Sequence, residues 1–229
     1  MKHLQGTNQL CRHLFITPSI LVLIIFTNIS LAGSFIEPNN YVVNECSPCK
    51  IKLAAGSDPI YIFSEFENVN DSHRKLISLK LKSSSNILIQ KLTVSSSDEM
   101  QNNDYIFIGS VDLNFDGFND LYLINDSSKI SKAADYWIYN KADKHYIFLG
   151  NFPIFKINQE NGYLISKEVM DENQHRMITN TYFFKGYELI LQEQLEVKKL
   201  NQHGSKVEIL RRRVNDSMID VSKKWFRTP

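Results

Sequence analysis

The stretch SVDLNFDGFNDLYLIN, residues 110–125, places Asp112, Asn114 and Asp116 on alternate positions, then Gly117, then Asp120 at the head of an apolar run. Alternate oxygen-bearing side chains on a short turn can converge on one cation, and a glycine after the third permits the sharp bend. The spacing D-x-N-x-D-G-x-x-D is therefore that of a calcium loop. Its candidate ligands are Asp112, Asn114, Asp116 and Asp120 through their side chains and Phe118 through its carbonyl. Calcium takes about six to eight oxygens in irregular geometry, whereas magnesium keeps an octahedron with several waters, so calcium is the expected cation. Three aspartates this close would otherwise repel one another. In the helical version of the loop a bidentate glutamate occupies the twelfth position, which here is Leu123. The flanks 105–108 and 121–124 are rich in Ile, Leu, Phe and Tyr and read as strands, so the loop sits on a β-scaffold with a structural role.

The rest of the chain agrees with that scaffold. Short segments rich in β-branched and aromatic residues recur at 59–63, 76–82, 87–94, 136–139, 146–149, 163–165 and 181–191, separated by Ser, Asn, Asp and Gly clusters. Lys185-Gly186 offers a tight two-residue hairpin turn, and 140–144 a longer polar one. Only 68–75 and the segment from about Asn215 onward have helical character. The expected fold is all-β, with antiparallel strands in a propeller-like or sandwich arrangement. The stripe Tyr182, Phe184, Tyr187 reads as cross-strand packing in preference to a sugar-stacking platform.

Residues 1–32 read as a signal peptide: Lys2 and Arg12 lead an apolar core at 20–26, and Ser30-Leu31-Ala32 supplies small residues before a cleavage point. An uncleaved anchor is the rival, but polar residues and Pro18 interrupt the stretch. The expected mature chain, 33–229, is a single all-β domain with a basic C-terminal tail, placed in the periplasm or secreted, without stable membrane insertion. Losing the leader removes two basic residues and no acidic one, taking the net charge from +1 to −1. Near-neutral charge gives no argument for a nucleic-acid partner. The basic runs 211–213 and 223–227 read as a charge-protected edge or as a contact for an acidic partner or anionic surface.

Cys46 and Cys49 remain after export, in the string ECSPCK. In an oxidising compartment they are expected to form a short-loop disulfide, the alternative being a redox-active pair beside Lys50. The histidines are scattered singly, which argues against zinc.

Three ordered blocks carry a resemblance: DLNFDGFNDL at 112–121, DYWIYN at 135–140 and TYFFKGYELIL at 181–191. They resemble a family of bacterial periplasmic calcium-binding proteins that look like FG-GAP or VCBS repeat proteins at the calcium loop and have a propeller-like β-fold. Some members inhibit lysozyme-like peptidoglycan hydrolases and act as immunity proteins for bacterium-killing secretion systems. The resemblance implies a peptidoglycan hydrolase or toxin effector as partner and calcium as the bound ion. The chain departs from the family at 125–132, where a glycine-rich loop is replaced by NDSSKISK, and around 171–176. Asp126, Lys129, His175 and Arg176 in these segments are the candidate partner contacts. No nucleophile elbow, zinc-protease motif or phosphate-binding loop is present, so no enzymatic activity is expected. A non-catalytic envelope or surface module stabilised by calcium is the alternative function.

Overall fold

The structure is a computed structural model that describes residues 35–36, 39–42, 49–95, 99–101, 106–124, 133–170, 175–200 and 204–226. Its strands, in chain order, are β1 (Phe35–Ile36), β2 (Asn39–Val42), β3 (Cys49–Lys52), β4 (Pro59–Asn68), β5 (His73–Lys82), β6 (Leu88–Thr93) and β7 (Met100–Gln101). They continue with β8 (Phe107–Val111), β9 (Asp120–Ile124), β10 (Ala133–Asn140), β11 (His145–Pro153), β12 (Lys156–Asn158) and β13 (Tyr163–Val169). The last four are β14 (Arg176–Lys185), β15 (Glu188–Lys199), β16 (Lys206–Val214) and β17 (Ser217–Phe226). All pair antiparallel, and no described residue is helical.

The strands form three sheets that do not close into a barrel, so the sandwich alternative is realised. The first runs β3-β4-β5-β6, with β7 also on β5; the middle runs β11-β10-β9-β8-β2; the third runs β1-β12-β13-β14-β15-β16-β17. Two apolar clusters show how they stack. Ile62, Leu79 and Leu81 of the first sheet meet Ile108, Leu121, Leu123 and Trp137 of the middle one. From the middle sheet's other face, Tyr122, Tyr136 and Ile138 meet Phe155, Ile157, Leu164 and Tyr182 beside or within the third. The middle sheet is thus covered on both faces. A strand buried on both faces needs apolar side chains at successive positions, which is why 121–124 and 133–139 read as near-continuous apolar runs. Residues 33–229 make up one compact unit.

Two close approaches lock the layers. Gly109 lies opposite Tyr122, and a Cβ there would stand 2.0 Å from that buried ring. At the edge of the middle sheet, the Gln90 side chain accepts the Tyr146 N–H at 2.7 Å and donates to the Tyr146 carbonyl at 2.8 Å. An amide from β6 thereby stitches the first sheet to β11.

Both expected helical segments are strands or turns. Residues 69–72 form a bend closed by Asn70, whose side chain accepts the N–H groups of Ser72 and His73, and β5 begins at His73. Asn215 and Asp216 both take positive φ, 48° and 64°, and make a two-residue hairpin into β17. Asn and Asp tolerate that conformation and mark such turns. The Lys185-Gly186 turn lies one residue later, at Gly186-Tyr187, with Gly186 at φ 64° and Lys185 opposite Glu188. Tyr182 is core, with Phe184 and Tyr187 packed against the same cluster.

Candidate functional site

The loop between β8 and β9 is shaped by its own acidic side chains. Asp112 accepts the N–H of Asp116 at 3.1 Å through Oδ1 and that of Gly117 at 2.9 Å through Oδ2. Asn114 Oδ1 also receives the Asp116 N–H, at 3.2 Å, and Asp116 Oδ1 receives that of Phe118 at 3.0 Å. These turns draw the alternate side chains inward and require two left-handed residues, Phe115 at φ 61° and Gly117 at φ 88°. Left-handed geometry at Phe115 costs about 1 kcal/mol or more.

Asp120 has a different task. It is fully buried, and its two oxygens accept the N–H groups of Leu113 and Tyr139, each at 2.8 Å. The β9–β10 ladder ends at Leu121 opposite Trp137, so the Asp120 carboxylate takes over where the backbone has left. One side chain therefore closes the loop on itself and pins it to β10. Burial, with the charges of Asp112 and Asp116, pushes the Asp120 pKa up to about 8 against the lowering effect of the two N–H groups. Burial chiefly raises Asp112 as well, with a contribution from the Asp116 charge.

The loop also touches all three layers. Leu113 is buried in the cluster against the third sheet, Phe115 packs on that cluster, and Phe118 packs on the other with its ring 5.6 Å from Tyr139. Asn119 donates its N–H to the Leu53 carbonyl at 2.6 Å and its amide to the Lys52 carbonyl at 2.8 Å, while Tyr146 donates its hydroxyl to the Asn119 carbonyl at 3.3 Å. Beside this contact an open cleft of about 450 Å³ is lined by Leu53, Ile60, Ser84, Tyr139, Lys144 and Tyr146.

As a cation site the donor set is graded. Asp112, Asn114 and Asp116 stand together with lone pairs to spare, and no ion pair to Lys or Arg reaches Asp112, Asp116 or Asp120 among the described residues. Uncompensated, half-buried carboxylates fit a hard cation. Among the described residues no three His, Cys, Asp or Glu side chains are grouped as a metal would need. The physical reason is that both Asp120 oxygens are directed to backbone N–H groups, leaving two carboxylates, the Asn114 amide and main-chain oxygens.

Of the other expected site residues, Cys49 is buried on β3, and its proposed partner Cys46 lies outside the described residues. Asp126 and Lys129 also lie outside them. His175 is exposed just before β14, and its carbonyl accepts the Lys199 N–H at 2.7 Å. Arg176 bonds Glu196 at 2.6 Å. Sequence reading passed over that acceptor: Glu196 is 1% exposed and also meets Lys198 at 3.2 Å and Arg211 at 3.0 Å. It passed over Asp135 too, which is buried and accepts the Ser95 N–H at 2.9 Å and the Asn151 amide at 2.8 Å. An aspartate inside the apolar run 133–139 was the available signal, since a buried charge needs partners.

The fold is similar to a solved structure described as that of a Xanthomonas Type IV Secretion System related protein, with a TM-score of 0.52 and 13% identity. The match covers 81% of this chain and 98% of the other, and at that identity it is a likeness of fold. No protein-family model matches the chain, and no curated protein matches it in sequence.

Proposed function

We propose that this protein is an exported, non-catalytic binding protein that blocks a peptidoglycan hydrolase and protects the cell that makes it. The observation that carries the reading is the 112–120 loop, an oxygen-rich turn anchored in every layer of the fold. The family resemblance of the three sequence blocks and the fold shared with a secretion-system related protein support it. Asp112, Asn114, Asp116 and the Phe118 carbonyl would hold calcium, with Asp120 keeping the loop closed behind them. Bound there, the ion would neutralise the carboxylates and fix the turn. The chain's own residues then carry that order outward: Asn119 to Lys52 and Leu53, Tyr139 and Tyr146 to the cleft wall. A surface fixed before the partner arrives loses less entropy on binding. The segments 125–135 and 171–178, with Asp126, Lys129 and His175, are the proposed contacts, and Arg176 orients the second of them through Glu196.

The test is loss of turbidity of peptidoglycan suspensions under several muramidases and related hydrolases, with residues 33–229 added in calcium or in chelator. Calcium-dependent inhibition of one enzyme is the expected result. Inhibition of none by folded protein refutes the reading and leaves a calcium-stabilised envelope binding module.

A further inference from the structure

Positive and negative charge nearly cancel over the whole chain, yet folding sorts them on the first sheet. Its inner face sends Ile60, Ile62, Leu79 and Leu81 into the core, so the alternating positions face outward. In register across the strands, these positions form a row of Lys50, Tyr61, Lys82 and Leu88, and beside it a row of Phe63, Lys80 and Lys91. Lys52 extends the patch at the end of β3. Among the described residues of this face, five lysines meet one carboxylate, Glu65, which bonds Lys80 at 2.7 Å and Lys91 at 2.8 Å. Farther along, Glu67 and Lys75 oppose each other.

The end of the sheet that carries Lys82 is also where the β5–β6 turn and the start of β6 present three consecutive apolar side chains: Ile87 66% exposed, Leu88 53% and Ile89 45%. Ile89 leans toward the cleft, while Leu88 shares the lysine face. This turn is held in shape. The Ser83 N–H donates to the Ile87 carbonyl at 2.9 Å and the Ser83 carbonyl accepts the Asn86 N–H at 2.9 Å, and Lys82 donates to the Asn86 side chain at 3.0 Å while lying over the Phe63 ring at 4.7 Å. Solvated turns are built from small polar residues, so an ordered turn with an apolar tip calls for a partner that accepts apolar side chains.

We infer that this face docks on an anionic lipid bilayer, with the lysines over the headgroups and Ile87 and Leu88 entering the interface. A basic face with an adjoining apolar tip is the combination that interfacial binding uses. A soluble polyanion such as nucleic acid would be served by the lysines and rings alone, and would leave the Ile87-Leu88 tip in water. This inference does not depend on the hydrolase reading.

The experiment is vesicle flotation of residues 33–229, shown by circular dichroism to be folded, with phosphatidylcholine vesicles containing or lacking phosphatidylglycerol. Binding to the anionic vesicles alone, weakening with salt, is expected. Lys50→Ala and Lys52→Ala should each weaken it about 5-fold. Ile87→Ser combined with Leu88→Ser should weaken it about 10-fold without moving the melting temperature. Absence of binding to anionic vesicles, equal binding to neutral ones, or binding unaffected by the Ile87/Leu88 pair and matched on duplex DNA would each overturn the inference.

Discussion

Replacing Asp120 with alanine isolates what the loop contributes before any cation is present. The substitution removes a fully buried acceptor and strands two buried donors, the N–H groups of Leu113 and Tyr139, each now 2.8 Å from an oxygen. Each orphaned buried N–H costs roughly 1–3 kcal/mol, whichever protonation state its lost acceptor held. The two bonds share one carboxylate, so their losses overlap, and a total of about 4 kcal/mol is expected. For a unit of this size about 1 kcal/mol moves the melting temperature by roughly 2–4 °C, giving a fall of about 10 °C. Asp120→Asn keeps one acceptor but turns an NH2 toward the other donor, and should fall about half as far. The assay is thermal unfolding of residues 33–229 by circular dichroism in chelator, where cation binding plays no part. An Asp120→Ala protein melting within about 3 °C of the parent would refute the reasoning.

Gly109→Ala should cost about 3 kcal/mol, because its Cβ would lie 2.0 Å from the Tyr122 ring in a layer closed on both sides; an unchanged urea midpoint would contradict that packing. Calcium should raise the melting temperature of the parent and Asp116→Ala should abolish that rise; a rise of parental size in the variant would remove Asp116 from the proposed ligand set. Glu196 is desolvated, but Arg176, Lys198 and Arg211 outweigh the burial and hold its pKa down at about 2, below its ordinary 4.5. Its stabilising contribution is therefore complete above about pH 4.5 and is lost as pH falls toward 2. Urea midpoints across that window should decline, and should decline less in Glu196→Gln, which itself costs about 2 kcal/mol at neutral pH.

The all-β class and the turn at 112–118 were legible because both are local. Alternation and turn chemistry are written in neighbouring residues, and the turn at 112–118 is drawn together by hydrogen bonds spanning at most five positions. β17 was left between helix and charge-protected edge because SMIDVSKKWF lacks alternation, both of its faces being largely exposed; its pairing with β16 through the Asn215-Asp216 turn makes it an edge strand. The role of Asp120 was only half legible. Its spacing reads as that of a cation ligand, but both its oxygens accept backbone N–H groups, one of them from Tyr139 on another strand. The Glu196 cluster was invisible for the same reason, since Arg176, Lys198 and Arg211 come from three strands whose register no short pattern encodes.

Gln90 has a consequence for how this chain keeps to itself. A strand at the rim of a sheet offers N–H and C=O groups that any stray peptide can pair with. At Tyr146 those two groups are already matched by a primary amide, whose C=O and NH2 stand side by side as the acceptor and donor of a pairing strand would. The rim of the buried layer is guarded at that point by one side chain in place of a further strand. Leucine or threonine at position 90 would leave the same backbone pair open to a neighbour's strand, which makes this glutamine a barrier to association as much as a stitch between layers.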